Sequence, residues 1–153
     1  MYLANGSLVL RSQRQKACKY NYTSGAIQSQ DKRAWSGPTR VCVRAKLPGG
    51  DKGSKGASAS GIWPAHWLMP NDKACWPSNG EIDIMEMING DGVTHATYHW
   101  RRTEIGGCGD TNATGGASRH PSLGASHTDT HDVSQWHEYA VEYGSGFIAF
   151  ALD

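Results

Sequence analysis

A strict alternation of apolar and polar positions marks residues 39–47 and recurs in shorter form along the chain. Val41, Val43, Ala45 and Leu47 would share one face of an extended segment, and Arg40, Cys42, Arg44 and Lys46 the other. A period of two is typical of a half-buried β-strand, and the Pro-Gly-Gly that follows at 48–50 ends it. The pattern therefore predicts a strand with one face in a core.

Further strands are predicted at 8–12, 80–89, 94–100, 136–143 and 147–152. The turn-forming residues at 89–92 and 144–146 join the last four of these into two hairpins. The segment 49–61 is rich in Gly, Ser and Lys, and the segment 103–132 in Gly, Thr, Ser and His, so we expect loops or turns in both. With no long helical apolar stripe, the pattern favours an all-β sandwich or barrel, and residues 1–153 are predicted to form one domain.

Three acids lie inside the apolar segment 80–89. Glu81 and Asp83 are two residues apart and share a face, whereas Glu86 has the opposite parity. One extra residue in the strand, a β-bulge at Ile84 or Met85, would bring Glu86 onto the same face, because a bulge shifts the alternation by one. We therefore predict a bulged strand with a row of three carboxyl groups.

A row of carboxyl groups on one face fits three interpretations. Like charges repel, so at least one pKa must rise, and glycoside hydrolysis needs one ionised and one protonated carboxyl about 5–5.5 Å apart for retention. Positions four apart on an extended strand are separated by roughly 13 Å, so strand curvature and side-chain lean must close the gap. A solvated acidic face and a Ca²⁺ site are the alternatives.

Composition narrows the class of partner. Fifteen Lys and Arg against fourteen Asp and Glu give the 153-residue chain a net charge of +1, which offers no electrostatic case for nucleic acid or an anionic membrane surface. The sequence contains no run of 18 apolar residues, so no membrane-spanning helix is predicted. Six Trp and six Tyr against two Phe suit flat contacts with sugar rings, so a neutral polymer is a compatible partner.

Cysteines and glycosylation motifs point to secretion. The four cysteines, at 18, 42, 75 and 108, permit two disulfides in three pairings and match no zinc spacing. Asn-X-Ser/Thr motifs stand at 5, 21 and 112, while the first residues lack a signal-peptide pattern. His127 and His131 have a metal-like spacing only on a helix, which their surroundings do not favour. We expect a chain that lacks its true N-terminus and also ends in mid-strand.

The segment 80–86, GEIDIME, resembles the active-site motif of glycoside hydrolase family 16 in its bulged, laminarinase-type form. Other segments resemble the family in the same order, namely TSG at 23–25, RAKLP at 44–48, GIWPAHWLM at 61–69, ATYHW at 96–100 and WHEYAVEY at 136–143. Cys42 and His66 depart from the family pattern, which more often carries Glu and Phe at these positions.

This resemblance implies a concanavalin-like β-jelly-roll sandwich of two curved antiparallel sheets. It also implies an endo-acting β-1,3-glucanase with Glu81 as nucleophile, Glu86 as acid/base and Asp83 between them to hold the nucleophile's charge and orientation. Since the family continues for several more strands, it implies truncation at the C-terminus as well.

The resemblance also implies the remaining site residues. His99 would hydrogen-bond into the acidic row, Trp63 and Trp67 would stack on sugars, and Arg44 would reach the cleft. We expect no cofactor and no catalytic metal, with a structural Ca²⁺ left open, and a monomer that acts on polysaccharide outside the cell or in the cell wall.

Two alternatives remain at this point. A non-catalytic β-glucan recognition module would share the fold, but such modules typically lose the catalytic glutamates that this chain keeps. The same chemistry on mixed-linkage glucan, or on a galactan such as agar or carrageenan, would use the same bulged motif.

Overall fold

The computed structural model describes residues 1–49, 60–72, 76–77, 79–100, 122–128 and 132–153, with the backbone alone for 122–128. These residues contain eleven strands, β1–β11 in chain order, and no α-helix. None of them belongs to a helix that could cross a membrane. Cα positions group the chain into two compact units, 1–34 and 35–153. That the chain forms one domain stays a prediction.

The first unit consists of two short hairpins. Strand β1 (Tyr2–Ala4) pairs with β2 (Ser7–Val9), and β3 (Gln13–Ala17) pairs with β4 (Tyr20–Thr23), both antiparallel. Asn5 and Gly6 join the first pair with φ values of 49° and 74°. Two successive positive φ values match the right-handed twist of the flanking strands, which is why an Asn-Gly pair stands here.

The second unit contains two antiparallel sheets. The order β11-β10-β5 forms a three-stranded sheet from Phe147–Leu152, His137–Gly144 and Thr39–Ala45. The order β6-β7-β8-β9 forms a four-stranded sheet from Ala65–Leu68, Glu81–Met87, Val93–His99 and Ser122–Thr128.

The core lies between these two sheets. Its buried members are Leu47, Ile84, Met85, Met87, Val133, Tyr139 and Val141, and they come from both sheets and the segments beside them. Each fully buried aliphatic side chain contributes about 1.5–3 kcal/mol of transfer free energy. Because one face of each sheet points into this core, the other faces outward, and the predicted all-β sandwich is confirmed.

The strand predictions at 39–47, 80–89, 94–100, 136–143 and 147–152 are confirmed within two residues at each end. The loop predicted at 103–132 is wrong at 122–128, where β9 forms, and residues 103–121 lie outside the described part of the chain. In the segment 122–128, SLGASHT, the apolar positions are limited to Leu123 and Ala125, which is too short a pattern to predict a strand. The strand β9 pairs with β8 along its whole length, from Ser122 to Thr128.

Cys18 and Cys42 are exposed free thiols. The two disulfides that an even cysteine count permits are therefore not both present. Cys75 and Cys108 lie outside the described residues, and so does most of the loop predicted at 49–61. His131 and the side chain of His127 also lie outside them.

Candidate active site

Strand β7 contains one more residue than its partner β8 in the middle of their pairing. Asp83 lies opposite Thr97, and Glu86 lies opposite His95. Three steps along β7 thus correspond to two steps along β8, so an extra residue is accommodated at positions 84–85. This is the β-bulge predicted from the parity of the acids.

The pairing with β6 on the other side locates the extra residue. His66 lies opposite Met85, and the next residue, Trp67, lies opposite Asp83. Ile84 therefore has no counterpart on β6. Since its side chain is only 5% exposed and belongs to the core, the extra residue contributes apolar packing as well as a shift in alternation.

The bulge sorts the side chains of β7 onto two faces. Ile84, Met85 and Met87 are buried in the core. Glu81, Asp83 and Glu86 occupy the opposite face, which we call the acid face, and Asp83 is only 3% exposed while the two glutamates are half-buried. The acid face of the four-stranded sheet thus carries three carboxyl groups within six residues.

Glu86 accepts a hydrogen bond from an indole. Trp63 Nε1 donates to Glu86 Oε1 at 2.9 Å. The segment that carries Trp63 is held against the end of β7, because the amide of Asn89 donates to the carbonyl of Ile62 at 2.9 Å. An indole N–H is only a donor, so it fixes the orientation of the carboxyl group without competing for protons.

Glu81 also accepts a hydrogen bond from an indole, that of Trp76. The Trp76 ring lies 5.7 Å from the ring of His99, and His99 Nε2 lies 3.0 Å from Asp83 Oδ2. Glu81, Asp83, His99 and Trp76 therefore form one connected polar cluster. The cluster holds two neighbouring carboxyl groups in fixed orientations.

A tight turn at Gly80 connects Trp76 to β7. The amide of Gly80 donates to the carbonyl of Pro77 at 3.0 Å, and Gly80 has a φ of +89°. A Cβ atom at this position would lie 3.1 Å from the Tyr98 ring. Glycine is therefore required both by its backbone conformation and by the close approach of Tyr98.

Asp83 has a pKa raised to about 7. Burial is the largest cause, followed by the negative charges of Glu81 and Glu86 and by a hydrogen bond with Glu81. Both glutamates are therefore close enough for Asp83 to sense their charge. A protonated Asp83 can donate a hydrogen bond to the carboxylate of Glu81.

Comparison with known proteins places this geometry in a family. Residues 54–148 match the model of an XgeA-like, catalytic GH16 domain. The chain belongs to glycoside hydrolase family 16. A beta-glucanase of Rhodothermus marinus is 31% identical over 159 residues, which cover 99% of this chain and 47% of that protein. The keratan-sulfate endo-1,4-beta-galactosidase of Sphingobacterium multivorum is 31% identical over 135 residues, covering 86% of this chain and 26% of that protein.

A solved structure agrees with the fold. The laminarinase catalytic domain of Thermotoga maritima MSB8 aligns with a TM-score of 0.74 and 28% sequence identity, over 99% of this chain and 55% of that one. The predicted jelly-roll architecture of family 16 is thereby confirmed. The chain spans about half the length of this laminarinase and of the Rhodothermus relative.

Most of the residues predicted for the family-16 site meet on the acid face. Trp67 shares this face because it lies opposite Asp83, and its side chain is 53% exposed. Trp63 is 62% exposed beyond its contact with Glu86. His99 contacts Asp83, as the resemblance implied. Both tryptophans are thus available to a ligand rather than buried in the core.

Arg44 is not brought to the acid face, and its expected role in the cleft is corrected. Arg44 lies on the exposed face of β5, whereas Val41 and Ala45 lie on the other face of the same strand and pack against the core. Its guanidinium group stands 5.3 Å from the centre of the Trp136 ring. Side chains alternate between the two faces of a strand, so the side chain of Arg44 points away from the sandwich core. It also belongs to the three-stranded sheet, whereas the acid face belongs to the four-stranded sheet.

Two residues of the site were not predicted from the sequence, namely Trp76 and His95. Trp76 precedes β7 in a turn, where no periodic pattern predicts its contact with Glu81. His95 lies on the acid face opposite Glu86. The signal for His95 was available, since His95, Thr97 and His99 are spaced by two along β8 and therefore share a face. Among the described residues, no group of three or more His, Cys, Asp or Glu is placed to hold a metal ion.

Proposed function

We propose that this family-16 chain carries the catalytic residues of an endo-acting hydrolase that cleaves β-1,3-glucan with retention of anomeric configuration. The observation that carries the proposal is the bulge in β7, which puts Glu81, Asp83 and Glu86 on one face. The retained acids argue against a non-catalytic glucan-recognition module, which would need no such row of carboxyl groups.

Glu81 is proposed as the nucleophile. It must attack the anomeric carbon as an anion, and the Trp76 indole and a protonated Asp83 both supply hydrogen bonds that an anion accepts. Asp83, with a pKa raised to about 7, can act as this donor at neutral pH. His99 contacts Oδ2 of Asp83 and so holds this carboxyl group in place.

Glu86 is proposed as the general acid that protonates the leaving oxygen, and then as the base that activates water. Retention needs two carboxyl groups about 5–5.5 Å apart. The bulge supports this spacing, because it turns Glu86 toward the face of Glu81, and the charges of both glutamates act on Asp83. Trp63 orients the Glu86 carboxyl group by its hydrogen bond.

The sugar-binding surface is proposed to include Trp63 and Trp67. Both expose more than half of their side chains next to the carboxyl groups. A neutral glucan is compatible with the net charge of +1, and stacking on indole rings needs no charged partner. We further propose that the enzyme acts as a monomer outside the cell or in the cell wall, where a polymeric substrate is found.

A galactan substrate is a second candidate. The specific observation that favours it is the 31% identity to a protein named keratan-sulfate endo-1,4-beta-galactosidase. The carboxyl row and the tryptophans serve a β-galactan as well as a β-glucan. The similarities to a beta-glucanase and to a laminarinase favour the glucan.

The decisive experiment measures the release of reducing ends from laminarin, lichenan, agarose, carrageenan and keratan sulfate by the same preparation. We expect laminarin to be cleaved fastest, with products of several lengths. Proton NMR during the first minutes should show the β-anomer before mutarotation. Faster cleavage of a galactan would assign the substrate to the second candidate, and an α-anomer appearing first would refute the double-displacement mechanism.

A further inference from the structure

His95 differs from the other ionisable side chains of the acid face. Glu81 contacts Trp76, Asp83 contacts His99, and Glu86 contacts Trp63. Within the described part of the chain, the imidazole of His95 makes no hydrogen bond, ion pair or ring contact, although His95 is half-buried on the same face. The row therefore contains one polar group whose hydrogen-bonding capacity is unused.

The position of His95 is set by the register of β7 and β8. His95 lies directly opposite Glu86, and such pairs place their Cβ atoms about 4.5–5.5 Å apart. On the other side of Glu86, β6 contributes Ala65, whose side chain is a single methyl group. Of the two cross-strand neighbours of Glu86, His95 is thus the one with a hydrogen-bonding side chain.

An imidazole suits a sugar hydroxyl chemically. Neutral imidazole has one N–H donor and one nitrogen acceptor, and a hydroxyl group both donates and accepts. When a ligand displaces water from the cleft, a half-buried imidazole without a partner costs free energy. A sugar hydroxyl placed beside Glu86 would remove that cost.

We propose that His95 binds the departing sugar, by a hydrogen bond to a hydroxyl group next to the oxygen that Glu86 protonates. This inference rests on the proposed function, in which Glu86 is the general acid. His95 thereby orients the leaving group, while Trp76 and His99 organise the carboxyl groups on the side of the nucleophile. The two histidines of β8 have separate tasks.

Two substrates separate this role from others. Laminaripentaose has a sugar as its leaving group, whereas 2,4-dinitrophenyl β-laminaribioside has an aryl leaving group that needs neither a sugar contact nor a proton. In the full chain, His95→Ala should lower kcat/KM for laminaripentaose about tenfold, the value of one hydrogen bond, and leave the aryl substrate within about twofold. His95→Gln, whose amide can donate and accept, should recover part of the loss.

Arg44→Ala is the matched control, because it removes a polar side chain on the other sheet. It should leave kcat/KM unchanged for both substrates. A parallel loss of kcat/KM on both substrates in His95→Ala and His95→Gln would overturn the proposal, since it would indicate a role in the fold or in the nucleophile cluster. Unchanged kinetics on laminaripentaose would overturn it as well.

Binding to an inactivated chain keeps this test independent of turnover. Laminaripentaose is titrated into Glu81→Gln and into Glu81→Gln/His95→Ala, and Trp fluorescence reports the Kd. We expect the Kd to rise about tenfold in the double variant, and an equal Kd would refute the role of His95. If the wild-type chain cleaves nothing but Glu81→Gln binds the sugar, hydrolysis is refuted together with the leaving-group role of His95, and the two Kd values then test only whether His95 contacts the sugar. Absence of binding would refute both.

Discussion

Strands β5 and β7 have the same length and opposite character. β5 pairs with β10 in unbroken register from Thr39 to Ala45. β7 breaks register with both of its neighbours. The polar face of β5 is exposed throughout, whereas the acid face of β7 contains a carboxyl group that is 3% exposed.

The charged side chains of the two strands also differ in how strongly solvent screens them. On the exposed face of β5, Arg40 and Glu138 approach to 3.7 Å with side chains that are 53% and 44% exposed. Solvent screens such a pair, which contributes little to stability. On the acid face, burial and neighbouring charge raise the pKa of Asp83 to about 7. The polar face of the regular strand β5 is thus a solvated surface, whereas the acid face of the bulged strand β7 brings together partly buried carboxyl groups that can act as acids and bases.

The largest expected difference between the two faces is in activity. Glu81→Gln and Glu86→Gln should each lower kcat on laminarin by about 10²–10⁴-fold, because each removes one essential carboxyl role. Glu138→Gln, the same substitution on the other sheet, should leave kcat unchanged. Thermal unfolding of all three variants controls for the fold. Near wild-type turnover in Glu81→Gln would show that the assignment is wrong.

The dependence of stability on pH should have opposite signs on the two faces of the four-stranded sheet. The pKa of Asp83 is raised to about 7, so the folded state retains a proton that the unfolded chain releases above its usual pKa of 3.8. This stabilisation is complete below about pH 4 and is lost as the pH rises through about 7. On the core face, burial lowers the pKa of His66, so its contribution is lost as the pH falls below its ordinary value of 6.5.

Replacing Asp83 or His66 by a group that does not titrate should remove its contribution to the dependence of stability on pH. Relative to wild type, Asp83→Asn should gain stability as the pH rises from 4 to 7, and His66→Phe should gain stability as the pH falls below 6.5. The Tm measured at several pH values from 4 to 8 reports both. His66 Nε2 is buried without a hydrogen-bond partner among the described residues, which is why Phe is a suitable replacement. Slopes of equal sign in the two variants would contradict this assignment.

A smaller effect is expected at the turn that introduces β7. Gly80→Ala adds a Cβ atom 3.1 Å from Tyr98 at a φ of +89° and should cost about 2–3 kcal/mol in urea unfolding. Gly146→Ala has a similar φ of +84° with no atom within 4 Å of the added Cβ, and should cost about 1 kcal/mol. Equal losses would mean that backbone conformation alone, and not the approach of Tyr98, requires glycine at position 80.

The smallest effect is expected at the exposed ion pair of β5. Arg40→Gln removes the partner of Glu138 from a screened surface position, so the Tm should not change measurably. Repeating the measurement at low salt sharpens the test, since screening is then weaker. A clear loss of stability at both salt concentrations would mean that the regular face of β5 contributes more than a solvated surface should.

Local alternation was sufficient to predict much of this molecule. A period of two is a property of the extended chain, so the faces of β5, and the need for a bulge between Asp83 and Glu86, followed from residue order. The roles of the acids came from the resemblance to family 16, because spacing does not distinguish a nucleophile from an acid or a metal ligand.

Other features depend on which strands become neighbours. β9 pairs with β8 in a segment that was expected to be a loop, and Trp76 reaches Glu81 from a turn that has no periodicity. Arg44 was expected in the cleft and lies on the other sheet, since its strand joins β10 and not β7. Asp83 acquires its raised pKa only when packing removes water and brings two more carboxyl groups beside it. Alternation is local, whereas burial and strand pairing arise from contacts between distant segments, and these contacts make an acidic row into a candidate active site.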